Sequence, residues 1–280
     1  MADPVHVYTA ESRTRNVGYV LREMVQGLRR APYLAYRLAL KDIRGARSKM
    51  FLGFFWDLAD PLVLGLIFYV LMRTRVLNPG EISISYATFV IFGLLLYATF
   101  SDAVVALMDL PRSSKVLLEH VKIPAEALIL SGLFRVGFTT IFRVCVMLLF
   151  AGITGDFSLP GFATFLCFLP IYVLCAGGIG LFFAPWNTLY NDVGRLVRVA
   201  LVPLRYVSPV LFLLPQHAFF DVFNRINPLA SWIPFLRNLA TMNLWSDVSL
   251  VTTHTAVCLG IGVIAWFLFH ATLPILAERV

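Results

Sequence analysis

Charge is scarce in this sequence. Of its 280 residues, 14% are Asp, Glu, Lys or Arg, whereas 59% are hydrophobic and 24 are Phe. A soluble domain carries about 25% charged residues and no more than about half apolar ones, so water is excluded as the solvent for most of this chain. Several enzyme signatures are missing as well. There is no GxxxxGK[ST] phosphate loop, so ATP is not held in that manner by this chain. No Gly-x-Ser-x-Gly nucleophile elbow occurs. His6, His120, His217, His254 and His270 are scattered without metal-ligand spacing. Cys145, Cys167, Cys175 and Cys258 lack CxxC spacing and lie in apolar stretches, where free packing residues are expected. No stretch before residue 50 has the apolar core of a signal peptide, so the first apolar segment is expected to be retained as an anchor.

Long apolar runs dominate what is present. Crossing a hydrocarbon core of about 30 Å takes roughly 20 helical residues, and six segments qualify, near 54–72, 86–107, 127–152, 162–184, 196–214 and 250–273. Runs this continuous read as helices rather than alternating barrel strands. The expected fold is an all-α integral membrane protein with six transmembrane helices.

The net charge of +7 is a topology signal rather than a nucleic-acid footprint. Arg13, Arg15, Arg22, Arg29, Arg30, Arg37, Lys41, Arg44, Arg47 and Lys49 all precede the first span. With the N-terminus inside, Arg112, Lys115, Lys122, Arg195, Arg198 and Arg279 join them, against Arg73, Arg75, Arg225 and Arg237 outside. That asymmetry follows the positive-inside rule and places both termini in the cytoplasm.

Residues 1–16 are polar and expected to be loose. Apolar Val17, Val20, Leu21, Met24, Val25 and Leu28 then recur at helical spacing, with Arg22, Glu23, Gln26, Arg29 and Arg30 opposite. That pattern predicts a cytoplasmic helix lying on the membrane surface, broken at Pro32 and followed by a second amphipathic stretch up to residue 49. Near the other end, residues 215–246 are aromatic and interrupted by Pro215, Pro228 and Pro234. They are too apolar for an exposed loop and too broken to span, so re-entrant or interfacial half-helices are expected on the outer side.

Charges inside the apolar runs are costly, about 2.5–3.5 kcal/mol each at the bilayer centre on insertion scales. Arg135 and Arg143 lie in the third span, Asp102 in the second and Arg205 in the fifth. Counted from the inner helix ends, Asp102 and Arg135 sit at similar depth, which predicts an Asp102–Arg135 ion pair. Pro203 and Pro209 flank Arg205 and point to an irregular, pathway-lining helix whose guanidinium meets phosphate or acidic sugar. One enzyme reading also exists. Asp57 and Asp60, on one face of the first span, can hold Mg²⁺ on a lipid diphosphate, although no second acidic cluster completes such a site.

Taken in order, the landmarks resemble the membrane subunit of the polysaccharide branch of type-2 ABC exporters, the permeases of O-antigen, capsule and teichoic-acid export. The resemblance runs over residues 33–280. It rests on Leu52, Gly53, Trp56 and Pro61 entering the first span, and on Lys115, Lys122 and Pro124 in a charged loop after the second. Asn187 and Asp192 before the fifth span, Ser208-Pro209 within it, and Asn227-Pro228 in the outer loop complete the set. The extra amphipathic segment at 17–30 and the arginines inside spans depart from the pattern.

The resemblance implies a permease in the bacterial inner membrane, working as a homodimer with a separate ATP-binding subunit. That partner would bind ATP and Mg, leaving this chain no cofactor and no enzymatic activity of its own. Residues 50–280 would form the transporter's membrane domain. Its cargo would be a lipid-linked polysaccharide; another cargo, such as a drug or lipid, is the alternative, and periplasmic export proteins are further partners. The segment 112–127 would be the coupling helix seated on the ATPase, with Val116, Leu117 and Leu118 in apolar contact and Lys115, Glu119 and Lys122 setting register. Phe54, Trp56, Tyr69, Tyr97 and Tyr206 would line the sugar path beside Arg205, and residues 33–49 would lie next to the ATPase.

Overall fold

A computed structural model describes residues 17–47, 55–76, 82–121, 123–213 and 218–279. Phe54, Lys122 and the N-terminal segment 1–16 lie outside the described residues, as do the side chains of Trp56 and Glu119. Every regular element among the described residues is a helix. Four have the length and apolarity to cross a membrane: α3 (Tyr86–Met108), α6 (Ala125–Thr154), α7 (Leu159–Leu189) and, over Val248–Leu273, α11 (Val248–Arg279). Their bounds match the predicted second, third, fourth and sixth spans.

Helix α3 is the centre. It is apolar on all sides and buried on nearly all of them, as expected of a helix that other helices surround. It packs against α2 (Phe55–Arg73), α6, α7, α8 (Asn191–Val207) and α10 (Pro228–Met242). By contrast, α6 and α11 leave Ile141, Leu149, Ile153, Val257, Val263 and Ile264 exposed. Apolar surface of that extent has lipid as its solvent.

The predicted fifth span is cut short. Helix α8 ends at Val207, and Ser208 is extended (φ −93°, ψ 157°), the conformation favoured by a residue preceding proline. The 17 residues of α8 rise about 26 Å and the 19 of α2 about 28 Å, slightly less than the hydrocarbon core. After α8 the chain continues along α3, where the Tyr86 hydroxyl donates to the Leu211 carbonyl at 3.2 Å.

Pro32 does not break the first helix. Instead α1 runs unbroken over Val17–Arg47. Val20, Met24, Ala31, Ala35 and Ala39 are buried on the side that packs along α6, while Pro32 is exposed. The ring and the Leu28 carbonyl that it deprives of a partner therefore face away from the contact, which continues past them. The predicted apolar stripe divides: Val20 and Met24 are buried, whereas Leu21, Val25 and Leu28 stay exposed. Where α1 crosses the start of α6, Glu126 is 1% exposed. It accepts from the Trp266 indole at 3.3 Å and pairs with His270 Nδ1 at 2.7 Å, joining α6 to α11.

The aromatic segment before α11 forms α9 (Ala218–Ile226) and α10. Asn227 caps α10 by accepting from the Leu229 N–H at 3.1 Å, with Pro228 in the N1 position that suits it. Trp232, Phe235, Leu236 and Leu239 are buried, and α10 packs against α7, α11 and α3. His254 of α11 joins this unit through Ser231 Oγ at 2.7 Å and the Arg225 carbonyl at 2.9 Å. The cysteines are free; Cys175 and Cys258 are buried, but Cys145 and Cys167 are exposed and do not pack inside the fold.

Candidate coupling and pathway site

The charged island after α3 folds as two short helices, α4 (Leu110–Ser113) and α5 (Lys115–His120), rather than one. Pro111 falls in the first turn of α4, where a missing N–H costs nothing, and Ser114 separates the two helices. Val121 is extended (φ −137°, ψ 133°) and ends α5. Of the three apolar residues expected to meet a partner, only Val116 points outward, at 74% exposure. Leu117 and Leu118 pack against the core, because a helix this short presents one face to the bundle. Lys115 is exposed beside Val116.

Polar side chains tie this island to the next bend. Asn187, buried at the end of α7, donates through Nδ2 to Asp109 Oδ1 at 2.9 Å. Arg198 of α8 pairs with Asp109 Oδ2. Arg112 donates to the Asn187 carbonyl and, at 2.7 Å, to Asn191 Oδ1. Asn187 was legible as a landmark, but Asp109, Arg112, Asn191 and Arg198 carry no spacing signal; their meeting depends on how α4, α7 and α8 pack.

On the α2–α8 side of α3, Arg205 lies 3.4 Å from Asp60, with its guanidinium 5.3 Å from the Tyr97 ring centre. Tyr97 is 1% exposed and donates to the Leu201 carbonyl, so it ties α8 to α3. Tyr206 is exposed on α8, as are Leu196, Val199 and Val202. Tyr69 receives a hydrogen bond from Arg73 Nε at 3.1 Å. Asp60 is engaged by a cation, and among the described residues no group of three or more metal-ligating side chains assembles.

On the opposite side of α3, Asp102 pairs with Arg143 and not with Arg135. Arg143 is 3% exposed and also approaches Thr99 Oγ1 at 3.4 Å. The predicted pairing failed because α6 starts well beyond the end of α3, with Leu107 and Leu110 against Gly132, and because Arg143 lies on the buried side of α6 whereas Arg135 is partly exposed. Counting from helix ends was therefore wrong by about two turns. Sequence reasoning also missed Arg237, assigned to an outer loop. Its side chain is 2% exposed, 3.5 Å over the Phe89 ring, and donates to the Pro209 carbonyl at 3.4 Å. Ser208 next to it accepts from Asn227 Nδ2 at 2.8 Å, joining two landmarks separated in sequence.

Such a helical bundle, with long apolar helices, charge pairs held against a central apolar helix and a polar joint at one end, is that of a multi-pass membrane protein. Residues 33–241 match the ABC-2 type transporter family; the chain belongs to that family. Among curated proteins it is similar to the O-antigen export system permease protein RfbA of Klebsiella pneumoniae, 24% identical over 71% of this chain and 76% of that protein. It is also similar to the polysialic acid transport protein KpsM of Escherichia coli, 24% identical over 65% of this chain and 69% of that protein.

Proposed function

We propose that this chain is the permease subunit of an ATP-driven exporter that moves a lipid-linked polysaccharide, of capsule or O-antigen type, across the bacterial inner membrane. The observation that carries the reading is family membership over residues 33–241 together with relatives named for O-antigen export and polysialic acid transport. In this reading α2, α3, α6, α7, α8 and α11 are the six spans and both termini lie in the cytoplasm, a topology that the basic N-terminal segment supports. A homodimer forms the path between the exposed α2 and α8 faces, with α9 and α10 at its outer mouth. Energy comes from two copies of a separate subunit that binds ATP and Mg, since this chain has no phosphate loop. Lys115 and Val116 on α5 are the contact offered to it.

Arg205, near the path and only lightly held by Asp60 at 3.4 Å, attracts acidic sugars or the phosphate of the lipid anchor. Mild-detergent purification from the native host, followed by mass spectrometry, tests the reading. A stoichiometric phosphate-loop ATPase is expected, and its absence under several detergents overturns it. Arg205→Gln is expected to weaken export of an anionic polymer; undiminished export at normal expression removes Arg205 from the path.

A further inference from the structure

We propose that Asp109, Arg112, Asn187, Asn191 and Arg198 form a latch that carries movement of α4–α5 into α8, with Tyr190 as the hinge against α7. This rests on the permease reading above. The latch lies where side chains of the island after α3 reach α8. Tyr190 is extended (φ −129°, ψ 116°) and separates α7 from α8, so the angle between the two helices can change there while α7 stays packed on α3 and α11.

Two grips bridge the hinge, each holding the island both to Asn187 at the end of α7 and to a side chain of α8. Arg112 spans the hinge, donating to the Asn187 carbonyl on one side and to the Asn191 side chain on the other. Asp109 binds Asn187 at 2.9 Å and Arg198, about two turns further along α8. Charged partners make these the stronger kind of hydrogen bond. At Gly194 between them, a Cβ would fall onto Asn187 Oδ1, so only glycine lets α8 seat this closely. The Asn187 Oδ1 atom is buried without a hydrogen-bond partner among the described residues, an unfilled acceptor within the joint.

Geometry then favours transmission. Above the latch, the Tyr97 hydroxyl holds the Leu201 carbonyl. With that point held, a push at Asp109 turns α8 about it and moves the exposed face that bears Tyr206. Helix shifts of about 1–2 Å are typical of such switching because packed helices have discrete seats.

The test uses the whole transporter, chain plus ATPase, in vesicles loaded with the lipid-linked glycan extracted from native membranes. Asp109→Arg and Arg198→Asp are each expected to cut glycan moved per ATP by about 5- to 100-fold, the range of ordinary coupling between sites, while ATP hydrolysis and assembly persist. The double exchange Asp109→Arg/Arg198→Asp is expected to recover most of the loss. Spin labels at Ser113 and Arg195 are expected to keep their distance on ATP binding, whereas labels at Leu174 and Arg195 change theirs. Full transport per ATP in both single variants overturns the latch. So does a Ser113–Arg195 distance that changes as much as Leu174–Arg195. Loss of assembly unrepaired by the exchange assigns these residues to folding alone and also overturns it. A wild-type chain that takes up no ATPase overturns the permease reading itself, a result distinct from any confined to the variants.

Discussion

Arg143, buried in the middle of α6, pairs with Asp102 of α3, and Arg135 about two turns earlier does not. A buried guanidinium is expensive without its carboxylate, whereas Arg135 has no ion-pair or hydrogen-bond partner among the described residues and is partly exposed. Asp102→Leu is therefore expected to lower stability by about 2 kcal/mol, below the cost of breaking a fully buried pair because the Asp102 side chain is half exposed. Asp102→Leu/Arg143→Leu is expected to recover part of the loss, and Arg135→Gln to change little. Thermal unfolding in detergent, arranged as a double-mutant cycle, reads all three.

The two faces of α5 predict opposite phenotypes. Val116 is exposed and Leu118 packs inward. Val116→Asp is expected to leave thermal stability within about 0.5 kcal/mol of wild type yet abolish retention of the ATPase on purification. Leu118→Asp is expected to cost about 1–3 kcal/mol through a charge set against the apolar core and lost packing. Equal destabilisation by both would show that α5 has no free face.

Small residues set the α7–α11 distance. A Cβ on Gly178 would lie 2.8 Å from the Gly262 Cα, a backbone atom that cannot step aside. Gly178→Val is expected to cost at least about 1–3 kcal/mol, as overpacking does, and to lower the yield of folded protein. Gly137 of α6 meets nothing within 4 Å of an added Cβ, so Gly137→Ala is expected to stabilise by about 0.5–1 kcal/mol. Melting temperatures of the two variants separate these effects.

Between α6 and α7, Asp156 accepts from the Ser85 N–H at 2.9 Å. Partial burial raises its pKa, but this hydrogen bond, with further help from the Ser85, Thr154 and Thr88 side chains, outweighs burial and holds the carboxyl below its ordinary 3.8. A depressed carboxyl contributes stability that is fully present above the ordinary value and is lost as pH falls through the folded one. Unfolding scans between pH 6 and about pH 3 should show that loss in the wild type and a weaker one in Asp156→Asn. Identical pH profiles would remove Asp156 from the linkage.

The chain alone determined that this protein belongs in lipid. Runs of about 20 apolar residues have no other solvent, and the bounds of α3, α6, α7 and α11 could be read to within a few residues. Asn187, Ser208-Pro209 and Asn227-Pro228 were visible as landmarks, and the island at 112–127 stood out by its charge. Tertiary structure decided who meets whom. Helical periodicity says which residues share a face but nothing about the axial offset between helices. That offset seats Gly132 against Leu107 and, with the side that α6 turns inward, gives Asp102 to Arg143. It decided in the same way that Leu117 and Tyr97 turn inward, that Pro32 sits on the free side of α1, and that Asp109 reaches Arg198 across two bends of the chain.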